Sequence, residues 1–173
     1  MIRSKFSMAA ALIGAAISVS VGQAVLAQVG SDYVPVTDAM LADPDPADWP
    51  MWRRTLNNWG YSPLDQSDRR NVEDVALVWS RPLLDGVNEG TPLVYDGVMY
   101  FPNPHDVTQA YAAASGDLIW EYRREVPEDV GVYFPAPSTN RNLAIHGNHV
   151  LDNGADGYAY AIDARSGELA WES

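Results

Sequence analysis

Residues 114–122 read ASGDLIWEY, and residues 165–173 read RSGELAWES. The two phrases are one pattern. Ala110, Ala113, Ser115, Gly116, Leu118, Trp120 and Glu121 recur 51 positions later as Ala161, Ala164, Ser166, Gly167, Leu169, Trp171 and Glu172. Asp117 recurs as another acid, Glu168. Chance does not keep such a register, so the chain contains an internal repeat. Each Ser-Gly marks a tight turn, because Gly accepts the positive φ that such turns require. Each Trp then falls on the strand after the turn, where a large flat ring can cover the gap between neighbouring units.

The residues before each phrase complete the unit. TPLVY (91–95), VMYF (98–101), TQAYA (108–112) and LIWEY (118–122) are short apolar or alternating runs separated by turn residues, Asp96-Gly97 among them. They predict four up-and-down strands. NLAI, HVLDN, YAYAID and LAWE repeat the series between residues 142 and 172. Four strands per repeat of about 50 residues predict β-propeller blades. Trp79, in the apolar run ending NVEDVALVW (71–79), predicts the last strand of a partial preceding blade. Two blades cannot close a ring. With the chain ending on a blade motif, the expectation is an N-terminal piece of a longer propeller.

Composition narrows the function classes. The chain has 173 residues, with 23 acidic and 11 basic ones, for a formal charge of −12. Such a surface repels phosphate backbones and excludes nucleic-acid binding as an expectation, while favouring cations and basic partners. With no cysteine, disulfides and thiol chemistry are ruled out. Arg3 and Lys5, the apolar run from Met8 to Val21 and small residues up to Ala27 read as a cleaved secretory signal peptide over 1–27. The apolar run is too short for a membrane span. Cleavage would leave a charge of −14 and a periplasmic protein without an integral span. Residues 28–75 predict an extended arm and an irregular, aromatic-rich lead-in. Residues 76–173 predict the blades.

The motif A-x-D-A-x-[ST]-G-x-x-x-W resembles the docking motif of the quinoprotein propellers. Ala161, Asp163, Ala164, Ser166, Gly167 and Trp171 match it fully, and Ala110, Ala113, Ser115, Gly116 and Trp120 match with Ala112 at the Asp position. GYSPLDQ (60–66), EGTPLVYDGVMY (89–100) and the run from Asp96 to Pro127 extend the resemblance to the dehydrogenases that use pyrroloquinoline quinone (PQQ), nearest the sorbose- and aldose-type members. The resemblance implies an all-β fold, the first two or so blades of an eight-bladed propeller. It also implies oxidation of an alcohol, polyol or sugar, with electrons passed to a cytochrome c or a quinone. PQQ and Ca2+ are the implied cofactors. The calcium ligands and the catalytic aspartate belong to later blades, so no catalytic or metal-binding residue is assigned. Glu89, Asn140 and Arg141 match cofactor-binding positions of the family. For Glu89 the alternative is a solvent-facing loop acid, and for Arg141 a structural salt bridge. Many members carry adjacent cysteines where Pro135 and Ala136 stand here, so that cover over the cofactor is absent. The rival class is a non-catalytic propeller scaffold of the outer-membrane assembly type.

Overall fold

The computed structural model describes residues 32–136 and 139–173. The signal-peptide reading lies outside the described residues. Ten strands follow in order: β1 (Asn88–Thr91), β2 (Leu93–Tyr95), β3 (Val98–Asn103), β4 (Val107–Ala112), β5 (Leu118–Arg123), β6 (Asn140–Asn142), β7 (Ala144–His146), β8 (His149–Asn153), β9 (Ala159–Asp163) and β10 (Leu169–Glu172). Strands β2 to β5 form one antiparallel four-stranded sheet in sequence order, and β7 to β10 form a second. These are two propeller blades. The β2–β3 turn has positive φ at both Asp96 and Gly97, 49° and 73°, the twist that a two-residue hairpin needs.

The repeated phrase is the joint between blades. The Trp120 indole Nε1 donates to the Ala164 carbonyl at 3.0 Å, and its ring lies on Gly167. A Cβ added at Gly167 would sit 2.8 Å from the ring carbons, so only glycine admits the ring there. Trp79 repeats the contact one blade earlier. Its Nε1 donates to Ala113 O at 3.0 Å, and its ring covers Gly116. Each tryptophan thus docks on the Ser-Gly turn of the next blade. Residues 75–79 nevertheless form no strand. The expected apolar run is present, but no strand among the described residues pairs with it, and an unpaired backbone does not become a ladder. Leu77 and Val78 accordingly stand exposed.

Between the blades lies a core of Leu93, Tyr100, Trp120, Val150, Tyr160 and Ile162. The Tyr100 and Trp120 rings are 5.9 Å apart, and the Tyr100 hydroxyl also donates to Ala164 O. Burying each such side chain contributes roughly 1.5–3 kcal/mol.

The arm runs over the face that carries the β2–β3 and β7–β8 turns. Val36 bridges to Gly147, and Trp49 bridges to Val94 on the free edge of β2. The arm that opens residues 28–75 was expected to be extended, yet α1 (Asp38–Ala42) lies within it. The Thr37 side chain accepts from the Met40 amide and starts that helix. The buried Arg54 guanidinium donates to the carbonyls of Pro44, Asp45 and Asp48 and closes the lead-in on itself. Among the described residues the arm's bridges lie on that face, and the opposite face carries β1, β6 and the β3–β4 and β8–β9 loops.

Candidate cofactor-binding face

On the opposite face β1 and β6 pair in parallel, Asn88 with Asn140 and Thr91 with Asn142. Each leads after one residue into the first strand of its blade. The ribbon therefore draws the β2 and β7 edges together, while Trp120, Tyr122 and Arg124 tie the outer part of the first blade to the second. Gly90 makes the approach possible, since a Cβ there would meet the Arg141 carbonyl at 2.9 Å and Pro102 Cγ at 2.5 Å. The Asn88 side chain accepts from the Gly90 amide and donates to Pro102 O, fixing the ribbon's start.

The ribbon brings two of the three expected site residues together. Arg141 Nε donates to Glu89 Oε2 at 2.7 Å, 52 residues away in sequence. Both side chains are exposed. The salt bridge foreseen as an alternative for Arg141 is thus present, and its partner is the other site candidate. Asn140 takes no part in this pair, although it lines the cleft beside Arg141. Its side chain is buried, and its Nδ2 donates to Asp152 Oδ2 at 3.0 Å.

Beside Arg141 opens a cleft of about 450 Å³, lined among others by Asp106, Phe134, Asn142, Asn153 and Gly154. Pro135 and Ala136 follow Phe134, just after the short helix α2 (Val130–Tyr133). His105 and Asp106, in the β3–β4 loop, both have positive φ, 66° and 53°. This backbone is strained for side-chain-bearing residues and is kept where surrounding contacts over-determine it. Here Asp106 is buried, and its Oδ2 accepts from the Ala155 amide at 3.2 Å. Burial pushes the Asp106 carboxyl up, opposed by the Ala155 amide and the nearby Arg124.

Two buried charges, Arg124 and Asp152, were not foreseen from the sequence. Arg124, almost fully buried, donates from Nη1 to both oxygens of Asp156 at 2.8 Å and lies over the rings of Tyr158 and Tyr160. Gly154 leaves it room, because a Cβ there would stand 2.7 Å from Nη1. Asp152 is buried in β8. Burial pushes its carboxyl up, against hydrogen bonds from Asn140, Asn153 and Tyr160. One sequence signal existed for Asp152. It shares the inward parity of Val150 on an alternating strand. Among the described residues no group of three or more His, Asp or Glu is arranged to hold a metal ion.

The family profile described as "Glucose/ethanol/alcohol dehydrogenase, beta-propeller domain" of the PQQ proteins matches residues 49–172. The chain belongs to the PQQ dehydrogenase propeller family. It is 38% identical over 131 residues to the dehydrogenase subunit of the quinone alcohol dehydrogenase of Gluconacetobacter polyoxogenes, covering 75% of this chain and 18% of that protein. It is 42% identical over 114 residues to the 1-butanol dehydrogenase (cytochrome c) of Thauera butanivorans, covering 65% of this chain and 16% of that one. Among solved structures, the quinohemoprotein alcohol dehydrogenase ADHIIG of Pseudomonas putida HK5 superposes with a TM-score of 0.75 at 35% identity, over 82% of this chain and 21% of that chain. A europium-containing methanol dehydrogenase superposes with a TM-score of 0.71 at 25% identity, over 79% and 25%. The chain therefore spans less than a fifth of the curated PQQ relatives it matches. The all-β propeller architecture expected from the repeat is the one these relatives share.

Proposed function

We propose that this chain forms the opening blades of a PQQ-dependent dehydrogenase that oxidises alcohols, polyols or sugars, and that Glu89 and Arg141 form part of its cofactor site. The observation that supports this most is the Glu89–Arg141 pair on the β1–β6 ribbon, since two family-matched positions 52 residues apart meet there.

The residues present suit the group. PQQ is a flat tricarboxylate and needs cations and hydrogen-bond donors around its rim. Arg141 lines the cleft, and among the described residues only its Nε is engaged, which leaves the Nη groups as donors for a cofactor oxygen. Asn142 and Asn153 add neutral amides, and Phe134 adds an apolar wall. When bound, PQQ supplies an orthoquinone that takes two electrons from the substrate carbinol. Arg141 would hold a cofactor oxygen and stabilise negative charge growing on it, with Glu89 orienting the guanidinium. No residue described here is assigned as general base or as a calcium ligand.

The electron acceptor in this reading is a cytochrome c or a quinone. Names of the matched relatives, which include cytochrome c and quinohemoprotein enzymes, support it. The formal charge of −12 would favour encounter with a basic cytochrome. Export to the periplasm rests on the leader-like residues 1–27. A scaffold role has no support in the curated relatives named above, which are dehydrogenases. The test is to reconstitute the full-length protein with PQQ and calcium and follow dye-linked oxidation of primary alcohols, polyols and aldoses. PQQ-dependent turnover is expected with at least one of these classes, and absence of turnover with all of them would sink the proposal.

A further inference from the structure

Asp152 occupies a place where a blade strand ordinarily carries an apolar side chain. Val150, two residues earlier on β8, points the same way and is fully buried. A carboxylate in such a place persists only with a full set of donors. Asp152 has that set: Oδ2 accepts from Asn140 Nδ2 at 3.0 Å and from the Tyr160 hydroxyl at 2.9 Å, and Oδ1 accepts from the Asn153 amide at 2.8 Å. Tyr160 and Asn140 are themselves buried.

The consequence reaches the cleft through one residue. Asn140 precedes Arg141 and pairs with Asn88, which precedes Glu89. Among the described residues the Arg141 side chain is held only by Glu89, and an ion pair between two exposed side chains does not fix either. What fixes the backbone from which Arg141 projects is the β1–β6 pairing and the buried Asn140–Asp152 bond.

We infer that Asp152 is a positioning residue of the cofactor site, acting through Asn140 to hold Arg141 at the cleft. The inference rests on reading Glu89 and Arg141 as cofactor-binding residues. It makes Asp152 part of the binding apparatus without contact to the cofactor.

The experiment uses the full-length protein and the variants Asp152→Leu, Asp152→Asn, Asn140→Ala and the double variant Asn140→Ala/Asp152→Leu. Two quantities are read: the Kd of the apo protein for PQQ, and amide hydrogen exchange across residues 139–143. Asp152→Leu is expected to weaken PQQ binding by about tenfold, the loss of one charge-assisted hydrogen bond, and to speed exchange at 139–143. Asp152→Asn keeps the size and one acceptor oxygen, so it should fall between wild type and Asp152→Leu. It carries the comparison if the leucine variant does not fold. The double variant should bind PQQ as Asn140→Ala does, because both changes break the same link. Unchanged affinity and exchange in the Asp152 variants, or losses that add in the double variant, would overturn the inference. Should the wild type bind no PQQ, the functional reading fails separately. Exchange at 139–143 then still decides whether Asp152 holds β6, faster exchange supporting the link and unchanged exchange overturning it.

Discussion

Gly167→Ala isolates the interblade joint. Gly167 has φ +75°, and an added Cβ would lie 2.8 Å from two ring carbons of Trp120 and 3.0 Å from its Cβ. Trp120 has little room to retreat: it is buried, bonded to Ala164 O, and packed 5.9 Å from Tyr100. Two costs therefore add. Placing alanine in the left-handed region costs about 1–2 kcal/mol. Overpacking against a fixed ring costs about 1–3 kcal/mol more. Gly147→Ala is the control, since Gly147 also has positive φ, 58°, but a Cβ there would meet nothing within 4 Å. It should show only the first cost. Urea midpoints at constant m, measured on the full-length protein, give both values. The account predicts that Gly167→Ala exceeds Gly147→Ala by about 1–3 kcal/mol. It further predicts that this excess shrinks in a Trp120→Ala background, where the ring contacts are gone and only the 3.0 Å approach to Cβ remains. Equal losses for the two glycines, or an excess undiminished in that background, would refute the docking argument.

Three further outcomes follow from the same geometry. Glu89→Gln should shift apo stability by less than about 1 kcal/mol, because its bridge to Arg141 is exposed; a urea titration without cofactor checks this. Arg124→Met should cost about 3–5 kcal/mol by the same assay, since it strands buried Asp156 beside Tyr158, and Arg124→Met/Asp156→Leu should recover part of the loss. Asp163→Ala should flatten the acid limb of stability. Burial pushes the Asp163 carboxyl up, but hydrogen bonds from the Ser166 and Arg165 amides outweigh it and leave the carboxyl below its usual range. A depressed folded value means stability present above the unfolded pKa of about 3.9 and lost as pH falls through the folded value. Urea midpoints from about pH 3 to about pH 7 should show that loss in wild type and less of it in Asp163→Ala.

The blades were legible because their determinants are local and repeated. Asp96-Gly97 sets a hairpin, the Ser-Gly pairs set the later turns, and Trp120 and Trp171 keep one register. The docking direction was legible in kind, though the glycine beneath each ring emerges only when the blades are stacked. The parallel β1–β6 ribbon was not legible. NEGT and NRN carry no alternating apolar pattern, and their pairing is set by the approach of two blades rather than by either segment. Glu89 and Arg141 could be named from motif resemblance, but that they touch each other could not. Asn140 was named for its place beside Arg141, and its inward turn follows from the buried carboxylate across the blade. Arg124, Asp106 and Asp156 look like ordinary surface charges in sequence, and only tertiary packing buries their side chains. The run before Trp79 shows the converse. Strand propensity was present there, and the missing partner decided against a strand.

The central claim is that the ribbon carrying Glu89 and Arg141 is a cofactor site. Calorimetric titration of the full-length apo protein with PQQ, wild type against Arg141→Met, tests it most directly. The account predicts saturable binding at one PQQ per chain in wild type. It predicts a roughly tenfold to hundredfold weaker Kd in Arg141→Met, the worth of a charged hydrogen bond, with the apo urea midpoint retained. Absence of PQQ binding in wild type, or equal affinity in the two proteins, would contradict it.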